Sequence, residues 1–462
     1  MLPVIGLALL LAFASLPVSS VPQGGPPPEI RERITAFTDA FNSASAEGWE
    51  KMTAAHFSPT LLARLGPAER RQLFDSLRKD FGTVTVGRIM RDGPSAPLRL
   101  EVTGSNGARG VIELALEPER PFRISGVGVD IGGAADREQK GPPPPPINAS
   151  MANPELVKAL DTYLARLASD DVFSGVALVA KNGVPVFEKA YGFAERAHRV
   201  ANTPATRFNL GSINKIFTQT AIEQLVAAGR LSREDTLGAL LPDYPQEVTR
   251  AATVDQLLQH TAGIADFFGA DFQKLSKDGF RSNADYYRFV SSKPPLFAPG
   301  ARNQYCNGCY ITLGEIIAKV SGMSYEAYVA QHIFKPAGMI GAEALQADSL
   351  APNVAQGYTR RGGSAQLRSN IYMRGAAGSA AGGGYATAAD LLAFDNAMKA
   401  AKLLDAARSK AFYAGRGIAG GAPGTSTVLI SGPVWTVIVL TNLDPDTGES
   451  IGTAIARALR AE

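Results

Sequence analysis

Charge clusters are missing from this sequence. It carries 46 Lys and Arg against 43 Asp and Glu, a formal net charge of +3, and no basic run concentrates the small excess. That leaves no electrostatic case for nucleic acid. Histidine is scarce: His56, His198, His260 and His332 are the four present, and they show no metal-ligand spacing. The two cysteines, Cys306 and Cys309 in "YCNGCY", are too few for a four-ligand zinc site. No thioredoxin-like strand and helix lead into this Cys-x-x-Cys, so packed thiols or a local disulfide are expected rather than a redox pair. Neither a metal nor an organic cofactor is expected. Long apolar runs are absent beyond the N-terminus, where the first 28 residues carry no charged side chain. "MLPVIGLALLLAFASLPVSS" has the apolar length of a signal peptide, without the usual basic start, and ends in the small residues Val18-Ser19-Ser20. A membrane anchor needs about 20 apolar residues, and Pro17 and serines interrupt this stretch. Residues 1–20 are therefore read as removed after export, leaving a periplasmic or secreted protein with no stable membrane span.

At 462 residues the chain is too long for one ordinary core, and two domains are the starting expectation. Its 45% hydrophobic and 19% charged residues are those of a soluble globular protein. "GGAADREQKGPPPPPIN" sets the boundary: five prolines favour an extended spacer, and the residues before them supply no core. The linker is placed at 132–150. Before it, residues 29–131 open with helical patterning, Ile30, Ile34, Phe37 and Phe41 sharing one face of "IRERITAFTDAFNSA". "PAERRQLFDSLRKDF" is a second helix. Four alternating segments, "TVTVGRIMRD", "LRLEVTGSNG", "GVIELALEPE" and "FRISGVGVDI", then read as antiparallel strands. Helices followed by a curved sheet resemble the NTF2-like α+β fold. From 151 to 462 the pattern changes. "SGVALVAKNGVPVFEKAYG" is a hairpin about Asn182-Gly183, a long helical middle follows, and strands return at "GTSTVLISGPVWTVIVLTN". Strands at both ends imply one antiparallel sheet built from the two termini of this region, with helices covering it.

Chemistry is suggested by "NLGSINKIF", residues 209–217, which sets Ser212 three residues before Lys215. The same spacing recurs in "SLRK" from Ser76 to Lys79, so context must separate the two. Ser76 and Lys79 fall on the polar part of their helix. The helix after Ser212 is apolar on nearly all sides, which predicts burial in the middle of its domain and takes Lys215 inside with Ser212. A buried lysine tends to lose its proton, and the neutral amine can then accept that of a serine. Such a lysine needs polar company. Of thirteen tyrosines, only Tyr305 has an asparagine, Asn307, two residues on. A phenol can shuttle protons when cations lower its pKa, and an amide can hold a lysine or a substrate carbonyl. His260 in "QHTAGI" reads as a structural turn residue, since no Gly-x-Ser-x-Gly elbow accompanies it.

Five blocks, "TRFNLGSINKIFT", "VDQLLQHTAGI", "FAPGARNQYCNGCYITLGEIIAKVSG", "GSAAGGGYATAADLLAF" and "GGAPGTSTVLISGPVWTVIVLTNLDP", resemble in their order the serine β-lactamase and penicillin-binding-protein family. The likeness is to its class C-like branch and covers about 155–460. It implies an α+β multi-domain chain with a β-lactamase/transpeptidase-like C-terminal fold. It also implies Ser212 as acylated nucleophile, Lys215 as proton acceptor, Tyr305 as general base and acid, and Asn307 as positioning group. The amides of Ser212 and Gly421 would form the oxyanion hole. The family's third motif departs here: in "GRGIAGGAPG", Ile418 stands where Lys or His is usual, followed by Ala419 and Gly420. Arg416, two residues earlier and so on the same strand face, is the candidate replacement. The resemblance thus implies an exported serine hydrolase for a small ester, peptide or β-lactam, with esters or peptides favoured over β-lactams by Ile418. The rival expectation is a non-catalytic binding or sensor protein that retains the scaffold.

Overall fold

The computed structural model describes residues 27–91, 97–131, 142–360, 366–413, 417–444 and 447–460; the expected export segment and Arg416 lie outside them. Helix α1 (Pro28–Asn42) begins with proline at a position whose amide has no helical partner anyway. Its Ile30, Ile34, Phe37 and Phe41 are buried together, as their spacing requires. They pack with α2 (Ala46–His56), α3 (Pro59–Arg64) and α4 (Pro67–Phe81). Ser45 and Ser58 cap the first turns of α2 and α3, two helices that periodicity did not announce. Lys79 is exposed on α4, so the second Ser-x-x-Lys has its lysine in water. Strands β1 (Val84–Met90), β2 (Leu98–Gly104), β3 (Arg109–Leu116) and β4 (Ile124–Ile131) follow in sequential antiparallel order.

After α5 (Asn153–Ser169) comes the hairpin of β5 (Gly175–Lys181) and β6 (Val184–Tyr191). Asn182 and Gly183 turn it at φ 51° and 77°, the left-handed pair that a two-residue hairpin turn uses. The middle of the chain supplies α6 (Lys215–Ala227), the two-residue strand β7 (Asn303–Gln304), α7 (Asn307–Ser321) and α8 (Ala388–Lys399). The last strands are β8 (Gly417–Ala422), β9 (Thr425–Ser431) and β10 (Trp435–Thr441), and α9 (Thr447–Ala458) follows them. They complete an antiparallel sheet in the order β8-β9-β10-β5-β6. This is the two-terminus sheet that the alternating segments imply.

Alternate residues of that sheet serve different cores. Val176, Leu178 and Ala180 of β5 pack with Ile213, Ile216 and Phe217 under the helical middle. Ala177 and Val179 face Leu156 and Leu160 of α5 and Ile451 and Ile455 of α9. Burial on both faces is why β9 and β10 show no alternation of apolar inward and charged outward residues.

Two features differ from a spacer between independent halves. Within the described end of the linker, Pro145 and Ile147 are buried, and Ile147 packs in the α5–α9 layer. A spacer that ends beside exposed apolar surface docks on it, whatever its proline content. In addition, β7 pairs in parallel with β4, Asn303 opposite Gly128 and Gln304 opposite Val129, and so becomes the fifth strand of the N-terminal sheet. Phe297 and Ala301, just upstream of β7, are buried in the N-terminal core.

Candidate active site

Ser212 lies in a 3-10 turn, Gly211–Asn214, that runs directly into α6 at Lys215. The glycine before it is a steric necessity. Gly211 has φ 51°, and a Cβ there would stand 2.9 Å from the Gly420 carbonyl carbon and 3.0 Å from the Gly421 nitrogen. Gly420 is equally constrained, because its Cβ would meet the Leu210 carbonyl oxygen at 2.0 Å and the Ser212 nitrogen at 3.0 Å. Thr427 on β9 ties the two segments by donating to Leu210 O at 2.8 Å and to Gly420 O at 3.2 Å. The turn that carries Ser212 and the end of β8 therefore touch backbone to backbone. That brings the Ser212 and Gly421 amides side by side, where a pair of donors can hold a developing oxyanion.

Lys215 is buried at 6% exposure. Its Nζ donates to Ser212 Oγ at 3.1 Å, Asn307 Oδ1 at 2.7 Å and Ala381 O at 2.6 Å. Burial brings its pKa down to about 7, against the opposing pull of Asp266. Tyr305 donates its hydroxyl to Ser212 Oγ at 2.7 Å, so two proton-handling groups meet one serine oxygen. The Lys215 ammonium also sits 4.7 Å from the Tyr305 ring centre. When Lys215 is neutral, its two remaining hydrogens can serve Asn307 and Ala381 while the lone pair turns to the serine hydroxyl. All four residues singled out as the chemical group are thus assembled at one point. Asn307 is in turn held by Asp266, whose Oδ2 accepts from its Nδ2 at 2.8 Å.

His260 lies beside this group without entering it. At φ 61°, it accepts from the Cys306 amide at 3.1 Å and stacks on Tyr305 at 4.9 Å and Tyr310 at 5.1 Å. Burial, and then the Lys215 charge, lower its pKa to about 4, so near neutrality it is an uncharged turn residue that packs on Tyr305. Cys306 and Cys309 form a disulfide bracketing Asn307, the local bridge being one of the two expectations for the pair.

Beside Ser212 opens a cavity of about 70 Å³ lined by Phe267, Phe268, Tyr286, Arg374, Gly421 and Ala422 among others. A second, of about 360 Å³, lies on the Tyr305 side and takes Val129 of β4 as part of its wall. Phe268 and Asn307 line both. Gly421 reaches the first cavity, but Ile418, Ala419 and Gly420 do not line it. Ile418 packs half-buried against the larger core, whereas Ala419 faces the α5–α9 layer. Sequence reasoning missed Asp266, the Ala381 carbonyl and Arg374. The small-residue run "GSAAGGG" was the available signal for the second of these, because close backbone approach excludes side chains. Among the described residues, no group of three or more His, Cys, Asp or Glu side chains could hold a metal ion, and no helix is long and apolar enough to cross a membrane.

The model of the beta-lactamase family matches residues 159–459. The chain is 34% identical over 236 residues to the putative penicillin-binding protein PbpX of Bacillus subtilis, covering 50% of this chain and 56% of that one; it thus spans little more than half of that relative. Its fold superposes on a penicillin-binding protein from Bacillus halodurans with a TM-score of 0.59 and 28% identity, covering 64% of this chain and 99% of that one. EstCE1, a hydrolase with promiscuous acyltransferase activity, gives a TM-score of 0.56 at 18% identity, over 68% of this chain and all of that one, which is a likeness of fold alone. With most of its length matched by the family model, the chain belongs to the beta-lactamase family.

Proposed function

We propose that this protein is an exported serine hydrolase that forms an acyl-enzyme on Ser212, with esters or D-amino-acid peptides as its substrates in preference to β-lactams. The observation that carries the reading is the convergence of Lys215 Nζ and Tyr305 Oη on Ser212 Oγ, at 3.1 and 2.7 Å. In the first half-reaction Ser212 Oγ bonds to the substrate carbonyl carbon, and its proton passes to neutral Lys215. The carbonyl oxygen becomes an oxyanion facing the Ser212 and Gly421 amides. Collapse breaks the bond to the leaving group, which takes a proton from Tyr305, and Lys215 reprotonates the phenol. Water then attacks the acyl carbon with the proton transfers reversed in order, releasing the acid and restoring Ser212.

Export is supported by the apolar, uncharged first 20 residues and by the Cys306–Cys309 disulfide, a bond typical of oxidising compartments. The preference against β-lactams rests on Ile418, which offers no charge at the position where the family resemblance implies a cation. Intact-mass analysis after exposure to a fluorophosphonate and to penicillin tests the assignment. Wild type should gain one adduct and Ser212→Ala none, while Ser76→Ala labels like wild type. Labelling of Ser212→Ala would overturn it. If neither reagent modifies the wild type, the non-catalytic binding or sensor reading takes its place.

A further inference from the structure

The cavity beside Ser212 contains a cation, Arg374, that forms no ion pair among the described residues. Among the described residues that line it, Arg374 is the one with a charge, and none is Asp or Glu. Among the described residues its guanidinium has no ion pair, and its buried Nε has no hydrogen-bond partner. Other arginines near this region are paired, as Arg281 is with Asp278 and Asp348. One aromatic ring lies beside Arg374: its Cζ is 5.8 Å from the Tyr385 ring centre. Its charge also reaches the Tyr286 phenol, although burial dominates there and raises that phenol's pKa. A fork of donors, half out of water and without an acceptor, is built to receive a carboxylate.

The two cavities divide the substrate between them. Tyr305, the group placed to protonate the leaving group, lines the larger cavity and not the smaller. The leaving group therefore departs toward the larger one, and the acyl portion stays in the smaller one with Arg374. We propose that Arg374 is the anion-binding residue of an acyl pocket, selecting substrates whose acyl group carries a carboxylate at its far end. Phe267 and Phe268 flank the apolar spacer between that carboxylate and the reacting carbonyl. The inference rests on the Ser212 acyl-enzyme reading and deepens it. It also separates two carboxylate positions: one on the acyl side meets Arg374, whereas one on the leaving side enters a wall that holds Asp266 and no cation among the described residues.

The test compares 4-nitrophenyl hydrogen glutarate with 4-nitrophenyl valerate, acyl chains of equal length with and without the terminal charge. Wild type should favour the glutarate ester in kcat/KM. Arg374→Gln should lower the glutarate-to-valerate ratio by about tenfold or more, the scale of one charged hydrogen bond, and Arg374→Lys should keep part of it. In the unaltered protein, free glutarate should inhibit valerate ester hydrolysis more strongly than glutaramide does, and salt should weaken that difference. An unchanged ratio in Arg374→Gln, or equal inhibition by glutarate and glutaramide, overturns the subsite. Ser212→Ala distinguishes the two levels. If it still hydrolyses both esters, the acyl-enzyme reading falls; if it hydrolyses neither while the ratio ignores Arg374, only the subsite does.

Discussion

Lys215 has three acceptors within 3.1 Å yet a pKa brought down to about 7 by burial, so its proton is poised to leave near neutrality. As a base it works only when neutral, and kcat/KM for an ester should rise with pH through a midpoint near 7. His260, lowered to about 4, would place the limb far lower if it were the base; a pH–rate profile decides between them. Asp266 raises the Lys215 pKa through its charge. Asp266→Asn removes that charge, makes the ammonium less stable and should move the limb to lower pH. Lys215→Ala and Tyr305→Phe should each lower kcat/KM by about 10²-fold or more, and less than additively together, because they serve one relay. Ser212, Lys215, Tyr305 and Asn307 were legible because their side-chain types recur at set spacings beside apolar helices. Asp266 and Arg374 were not: each is a lone charge in an irregular segment, and only the folded path brings it to the site.

Among elements, the contact between the Ser212 turn and β8 is a tight constraint. Gly420→Ala would force a methyl to within 2.0 Å of Leu210 O, pushing β8 away and separating the two amides. Its acylation rate should fall by about 10²-fold or more, the scale of losing one oxyanion donor. At Gly421 a Cβ meets nothing within 4 Å, and an alanine there keeps the amide, so Gly421→Ala should lose far less. Rates of fluorophosphonate labelling would show the contrast. Strands and hairpin were readable from alternation and from Asn182-Gly183. The 3-10 turn at Gly211–Asn214 was not, because one turn leaves no period, and its geometry is imposed by β8 across the fold.

For the whole molecule, the N-terminal sheet supports the segment that leads into Tyr305. Phe297 is 2% exposed in the N-terminal core, Arg302 reaches Asp80 of α4 at 3.6 Å, and β7 ends one residue before Tyr305. Phe297→Ala should cost about 3–5 kcal/mol, as large aromatic truncations do, and should lower kcat/KM as well as the melting temperature. Loss of stability with unchanged kcat/KM would mean that Tyr305 holds its position without this support. The linker's composition gave no hint of such coupling, since proline content reports chain stiffness and says nothing of what the flanking parts bury.

The backbone clasp between Gly211 and Gly420 also sets an order of events. Ser212, Lys215, Tyr305 and Asn307 are all made before the ribosome reaches β8, yet β8 joins the sheet only through β9 and β10, which pairs with β5. A chain stopped at residue 413 would hold the whole proton relay in sequence and no oxyanion hole, and should take up no fluorophosphonate. Reactivity should then arrive last, with the final strands, so that a chain still being synthesised carries Ser212 in an inert form.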